Sequence, residues 1–174
     1  MNGYSARTAG FLAEDSSAGM LSAVRGHPPA FIRKGSHMSE QDNIAVVQQA
    51  YTNFKSGNIN ALIDQMNDDV VWQLPEIKNV PLAGKRTGRD GVADFFATLA
   101  RDQDVLEFEP RKFVAQNDTV VSLGYYEWHV KETGRDFESD FVHIFTIRDG
   151  KIAGFREHFD SAVVAAAYQK AMSA

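Results

Sequence analysis

From Ser39 onward the chain alternates apolar and polar residues with a period that changes along its length. Ile44, Val47, Ala50, Tyr51 and Phe54 recur at helical spacing behind Ser39-Glu40-Gln41-Asp42. That pattern predicts a helix with a polar cap and early acids, stopped by Gly57. A short second helix follows, with Ile59, Leu62, Ile63 and Met66 on one side. Asp68-Asp69 punctuates, and Val70 to Leu74 reads as a strand ended by Pro75. The stretch from Glu76 to Gly88, with Pro81 and Gly84, fits neither period and is expected to be a loop. A third helix begins near Arg89 and turns Val92, Phe95, Phe96 and Leu99 inward.

Beyond it the period drops to two. Val105–Ala115 alternates raggedly, Asn117-Asp118 makes a turn, and Thr119–Val130 is a long strand. Thr133-Gly134 turns the chain, Phe137–Ile147 returns, Asp149-Gly150 signals a hairpin, and Ile152–Phe159 closes the series. Asp160-Ser161 caps an Ala-rich helix predicted over 162–172. Helices segregated from a run of antiparallel strands define an α+β fold. Long aromatic strands covered on one face by helices should curl and leave a pocket between the layers.

Residues 1–37 show no such pattern. Pro28-Pro29 and scattered arginines lead into Gly35-Ser36-His37-Met38, which looks like the scar where an expression vector joins an inserted gene. The reading is a cloning-derived leader over 1–37 and one domain over 38–174, with a targeting peptide as the alternative. Of the 174 residues, 24% are charged, with a net charge of −5. Setting the leader aside removes four basic and two acidic residues and takes the balance to −7. Such a domain is a poor nucleic-acid binder, for which a basic excess is usual. The absence of cysteine excludes disulfides, Cys-ligated metal and thiol nucleophiles. No apolar run approaches the roughly 20 residues of a membrane helix, and no secretory signal is convincing, so a cytoplasmic location is expected.

Three runs then acquire a meaning together. Asp69-Val70-Val71-Trp72, Leu82-Ala83-Gly84 with Gly88-Arg89-Asp90-Gly91-Val92 and Phe95-Phe96, and Phe145 to Asp160 resemble the SnoaL-like family. That family shares a superfamily with ketosteroid isomerase, scytalone dehydratase, limonene epoxide hydrolase and nuclear transport factor 2. The resemblance covers 41–172. It implies a cone-shaped, curved mixed sheet wrapped around three helices, the cystatin-like α+β barrel, with a short C-terminal helix. It also implies an apolar pocket at the open end and a homodimer through the outer sheet face. The scaffold hosts isomerases, polyketide cyclases, dehydratases, hydrolases and binders, so function has to come from side chains. Compared with ketosteroid isomerase, Leu74 stands where the base belongs and Ala50 where the oxyanion tyrosine belongs. Compared with limonene epoxide hydrolase, Glu157 matches one Asp, but Tyr126 and Gly124 replace the other Asp and the Arg.

The chain's own chemistry centres on His143 and Glu157. If Arg148-Asp149-Gly150 is a three-residue loop, His143 and Glu157 are diagonal neighbours on one face, amid Phe141, Phe145, Phe155 and Phe159. A two-residue turn would pair His143 with Arg156 and send Glu157 to the other face. The three-residue loop is preferred because it yields one apolar face with two ionisable groups. His143 and Glu157 are then the candidate catalytic acid–base pair. The plain alternative is a buried hydrogen bond that pins the hairpin.

Tyr126, Trp128, Trp72, Phe141, Phe155 and Phe159 are the candidate ligand-binding residues, stacking on a flat, partly apolar molecule. Tyr51 and Phe54 read as core. Asp160 reads as a helix cap, and His129 and His158 as outer-face residues. No metal-ligand spacing or phosphate-loop motif is present, so neither metal nor organic cofactor is expected. The leading expectation is an isomerase, cyclase or dehydratase type of enzyme acting on an apolar carbonyl-containing or polycyclic substrate. A non-catalytic ligand carrier and a dimerisation module are the alternatives.

Overall fold

The computed structural model describes residues 38–170; the expected leader lies outside the described residues. Helix α1 spans Glu40–Lys55, capped by a reciprocal pair: the Ser39 hydroxyl accepts from the Asp42 amide, and the Asp42 carboxylate accepts from the Ser39 amide. Its inner face buries Val47, Ala50 and Tyr51, and Gly57 leaves it with φ of +72°. Helix α2 (Ile59–Asp64) is shorter than its apolar pattern, because Met66 already belongs to strand β1 (Met66–Gln73). Strand β2 (Lys85–Thr87) lies inside the stretch expected to be loop. It is short and polar, so no alternation betrays it. Helix α3 (Gly88–Asp102) turns Val92, Phe95 and Phe96 inward as expected.

Strands β3 (Gln103–Gln116), β4 (Thr119–Val130), β5 (Arg135–Arg148) and β6 (Lys151–His158) follow as a meander. Helix α4 (Ser161–Ala167) is capped by the Asp160 side chain and ends well short of 172. The sheet order is β2-β1-β6-β5-β4-β3. Only β1 and β6 pair in parallel among these neighbours, which makes the sheet mixed. The curled sheet presents one face to α1, α2 and α3, and the core fills the space between. The α+β expectation holds.

The β5–β6 hairpin differs from both registers the sequence offered. Asp149 (φ 54°) and Gly150 (φ 75°) are the two central residues of a tight turn, and Arg148 pairs with Lys151. Left-handed conformation at both positions suits a two-residue type I′ turn. The three-residue loop is therefore incorrect. Yet Glu157 does not leave the inner face, because β6 carries one extra residue: Ile147 pairs with Ile152, whereas Thr146 pairs with Gly154. This bulge at Ala153 resets the alternation, so that Ile152, Phe155 and Glu157 all point inward. His143 and Glu157 become direct cross-strand partners rather than diagonal ones.

Candidate active site

The bulge sets up a chain of polar groups in an otherwise apolar interior. His143 Nε2 lies 3.1 Å from Glu157 Oε1, with the two side chains only 6% and 11% exposed. On the other side of the ring, His143 Nδ1 lies 2.8 Å from the Tyr51 hydroxyl of α1. When Glu157 is ionised and the ring is neutral, Nε2–H donates to Glu157 and Nδ1 accepts from Tyr51. The imidazole is fixed from below as well, stacked on Phe141 with 4.0 Å between ring centres. Ser122, opposite His143 on β4 and fully buried, stands beside Tyr51 without closing to a regular hydrogen bond.

Two phenols flank this chain. Burial pushes the Tyr51 ionisation well above the usual phenol range; the Ser122 hydroxyl opposes part of that, and the Glu157 charge adds to it. Tyr126 is raised further, first by burial and then by Glu157, whose carboxylate it faces. Both remain O–H donors across the physiological range.

Above the pair opens a cavity of about 110 Å³, several times the roughly 10–15 Å³ a single water needs. His143, Glu157, Tyr126, Trp128, Trp72, Phe155 and Phe159 all lie on its wall, as does Tyr51. Phe141 does not reach the wall; it is 1% exposed and serves as the floor beneath His143. Trp72 stacks on Phe155, 3.8 Å between centres. Its indole Nε1–H is buried and meets no acceptor among the described residues.

The segment between β1 and β2 closes one side with Ile77, Val80 and Leu82. Arg86 holds it, donating to the carbonyl oxygens of Pro81 and Leu82 at 2.8 and 3.0 Å while lying over the Phe95 ring. Gln103 and Val164 complete the wall, with Gln103 Nε2 donating to the Tyr168 hydroxyl at 2.8 Å.

Sequence reasoning passed over Tyr51. The signal was present: a tyrosine on the buried stripe of α1 needs a partner for its hydroxyl. His129 and His158 lie outside as expected, His129 paired with Asp136 at 2.6 Å. Among the described residues, no three His, Cys, Asp or Glu side chains converge as a metal site requires. No helix there is long and apolar enough to cross a membrane.

Comparison with known proteins agrees with this fold. The family model described as the SnoaL-like domain matches residues 47–155. The chain belongs to the SnoaL-like family. An NTF2-like protein from Burkholderia xenovorans LB400 has a crystal structure similar to this SnoaL-like chain at a TM-score of 0.70 and 30% identity, covering 76% of this chain and 99% of that one. TerC, co-crystallized with polyporic acid, is 29% identical at a TM-score of 0.64, covering 73% and 98%. An NTF2-like protein from Burkholderia thailandensis E264 shares the fold at 24% identity and a TM-score of 0.67, covering 76% and 99%. None of the curated proteins compared matches this SnoaL-like chain.

Proposed function

We propose that this SnoaL-like protein is a cofactor-independent acid–base enzyme of the isomerase, cyclase or dehydratase type, acting on an apolar carbonyl-containing or polycyclic molecule. The observation that carries the reading is a hydrogen-bonded His143–Glu157 pair on the wall of an apolar cavity. Both nitrogens of His143 are engaged, so the ring orients rather than attacks. Glu157 is the proton acceptor, with His143 fixing one of its oxygens and Tyr51 fixing His143. Tyr126, kept protonated, is a donor for a carbonyl oxygen that gains charge as the adjacent carbon loses its proton. A water-poor surrounding strengthens each of these interactions. The co-crystallization of TerC with polyporic acid supports a small-molecule reading.

The test uses 2-tetralone, a two-ring enolisable ketone. In deuterium oxide the protein is expected to accelerate deuterium incorporation beside the carbonyl, saturably in ketone. General base catalysis contributes typically about 10²–10⁴-fold. Saturable binding with no accelerated incorporation would favour a ligand carrier instead.

The outer sheet face supports self-association. Val114, Val121 and Ile144 lie side by side across β3, β4 and β5, next to Leu123 and Val142. Val114 and Leu123 are 50% and 38% exposed. A homodimer through this face predicts that Leu123→Lys shifts the light-scattering mass to that of a single chain. An unchanged dimer mass, or a wild-type protein of single-chain mass, would contradict it.

A further inference from the structure

One glycine shapes the floor of the site. Gly124 lies on the buried face of β4, between Ser122 and Tyr126, and pairs across the sheet with Phe141 of β5. A Cβ placed on Gly124 would lie 2.3 Å from Phe141 Cζ and 2.7 Å from Cε1. The tip of the phenyl ring therefore occupies the space that a side chain at 124 would take. On the β3 side the same Cβ would meet the Glu109 carbonyl oxygen at 2.6 Å. An aromatic ring laid over a glycine of the neighbouring strand covers backbone that the glycine leaves bare, and its plain consequence is stability.

Here the ring also meets both groups that face Glu157. The imidazole of His143 stacks on it at 4.0 Å, with 19° between planes. Tyr126 is close to parallel as well, at 22° and 5.4 Å between centres. Along β4, Gly124 is the alternate position between Ser122, which is opposite His143, and Tyr126. The phenyl thus fills the gap between the rung of the imidazole and the tyrosine. Phe141 is 1% exposed and lies behind the cavity wall. Expected to bind the ligand itself, it acts on a ligand only through these neighbours.

Resting on the reading of Glu157 as the base, we propose that Phe141 is a positioning residue for the acid–base site and that Gly124 is the position that admits it. The phenyl sets the plane of the imidazole, and with it the direction of the bond from His143 Nε2 to Glu157 Oε1. It also sets the plane of the Tyr126 phenol, and so where that hydroxyl stands relative to the same carboxylate. Donor and base are registered against one surface. Moving that surface moves them relative to each other, and a misplacement of about 1 Å can cost about a hundredfold in rate.

Three variants test this: Phe141→Leu, Gly124→Ala and the two combined. Leucine still covers Gly124 but offers no flat face. Deuterium incorporation into 2-tetralone is expected to lose about ten- to hundredfold in kcat in each single variant, counted per folded molecule, with KM unchanged. The double variant should be no slower than the slower single one, because both changes act through the same ring. A loss equal to the fraction unfolded, or a double variant whose loss is the product of the two, overturns the proposal. So does an unchanged kcat in folded Phe141→Leu, which decides the matter if Gly124→Ala does not fold. One readout needs no turnover. Among the five histidines of the chain, His143 should show ring-proton signals shifted upfield by the stacked phenyl, and His143→Gln assigns them. Phe141→Leu and Gly124→Ala should each remove that shift, and its survival in Gly124→Ala overturns the role given to the glycine. A wild-type protein with the upfield signals but no incorporation would remove Glu157 as base and leave Phe141 as the support of the imidazole.

Discussion

The sheet carries two His–carboxylate pairs, each between neighbouring strands, and they differ in almost everything except chemistry. His129 and Asp136 meet on the outer face at 2.6 Å, with side chains 35% and 54% exposed. His143 and Glu157 meet on the inner face at the longer distance of 3.1 Å, with side chains 6% and 11% exposed. The closer pair is bathed in solvent and screened, and such pairs contribute at most about 1 kcal/mol. The inner pair has lost its water, so its partners are fixed by the protein: Tyr51 on one side, Phe141 beneath, the cavity above. Distance alone is a poor guide to which pair matters. Desolvation decides, because it makes each remaining partner count for more.

The largest expected difference is in stability. His143→Ala removes the ring stacked on Phe141 and leaves Glu157 and Tyr51 buried without it. Losing one partner of a buried pair costs about 3–5 kcal/mol. His129→Ala should cost no more than about 1 kcal/mol. Urea unfolding of the two variants measures both, and equal costs would erase the contrast between the faces.

A smaller effect separates the tyrosines. Tyr51 and Tyr126 have folded-state ionisations raised above the usual 10.0, chiefly by burial. Above that pH the unfolded chain releases these protons while the folded chain retains them. The unfolded state then binds fewer protons, and stability falls as pH rises. The fall is at most about 1.4 kcal/mol per pH unit for each phenol. Tyr51→Phe and Tyr126→Phe should each flatten the alkaline slope. Tyr125, on the outer face, is pushed up to about 12 mainly by its hydrogen bond to Glu138. It lies half-buried on the solvent face, so Tyr125→Phe should change the slope less, and less still in high salt. Equal slopes for all three variants would argue against a dry interior.

The same contrast explains what was legible beforehand. Element order, the caps at Ser39 and Asp160, and the inward stripe of Val92, Phe95 and Phe96 follow from local spacing and side-chain chemistry. The family resemblance implies an apolar pocket at the open end, and the cavity present is lined by residues of the sheet and of α1, α2 and α3. The hairpin register was harder, because turn preference and burial disagree there. Asp-Gly favours a two-residue turn, whereas Ile152 and Phe155 demand the same face at an odd spacing. A bulge satisfies both, and that odd spacing was its only trace in the sequence. The helical spacing of Tyr51 marks a core position and says nothing of its hydroxyl, which finds His143 only through the packing of α1 on β5. Strand β2 forms because β1 offers it an edge, with Trp72 opposite Arg86, and not because Lys85-Arg86-Thr87 favours a strand.

The proposed chemistry requires Glu157 to act as a base in a protein that stays intact without it. The direct measurement is deuterium incorporation into 2-tetralone by the Glu157→Gln variant, made alongside its urea unfolding curve. Glutamine can still hydrogen-bond to His143, so a single cooperative unfolding transition is expected, with incorporation reduced about a hundredfold or more. Incorporation at the wild-type rate in the folded variant would contradict the account. So would a loss no greater than the fraction unfolded, which would make the pair a hairpin fastening and nothing more.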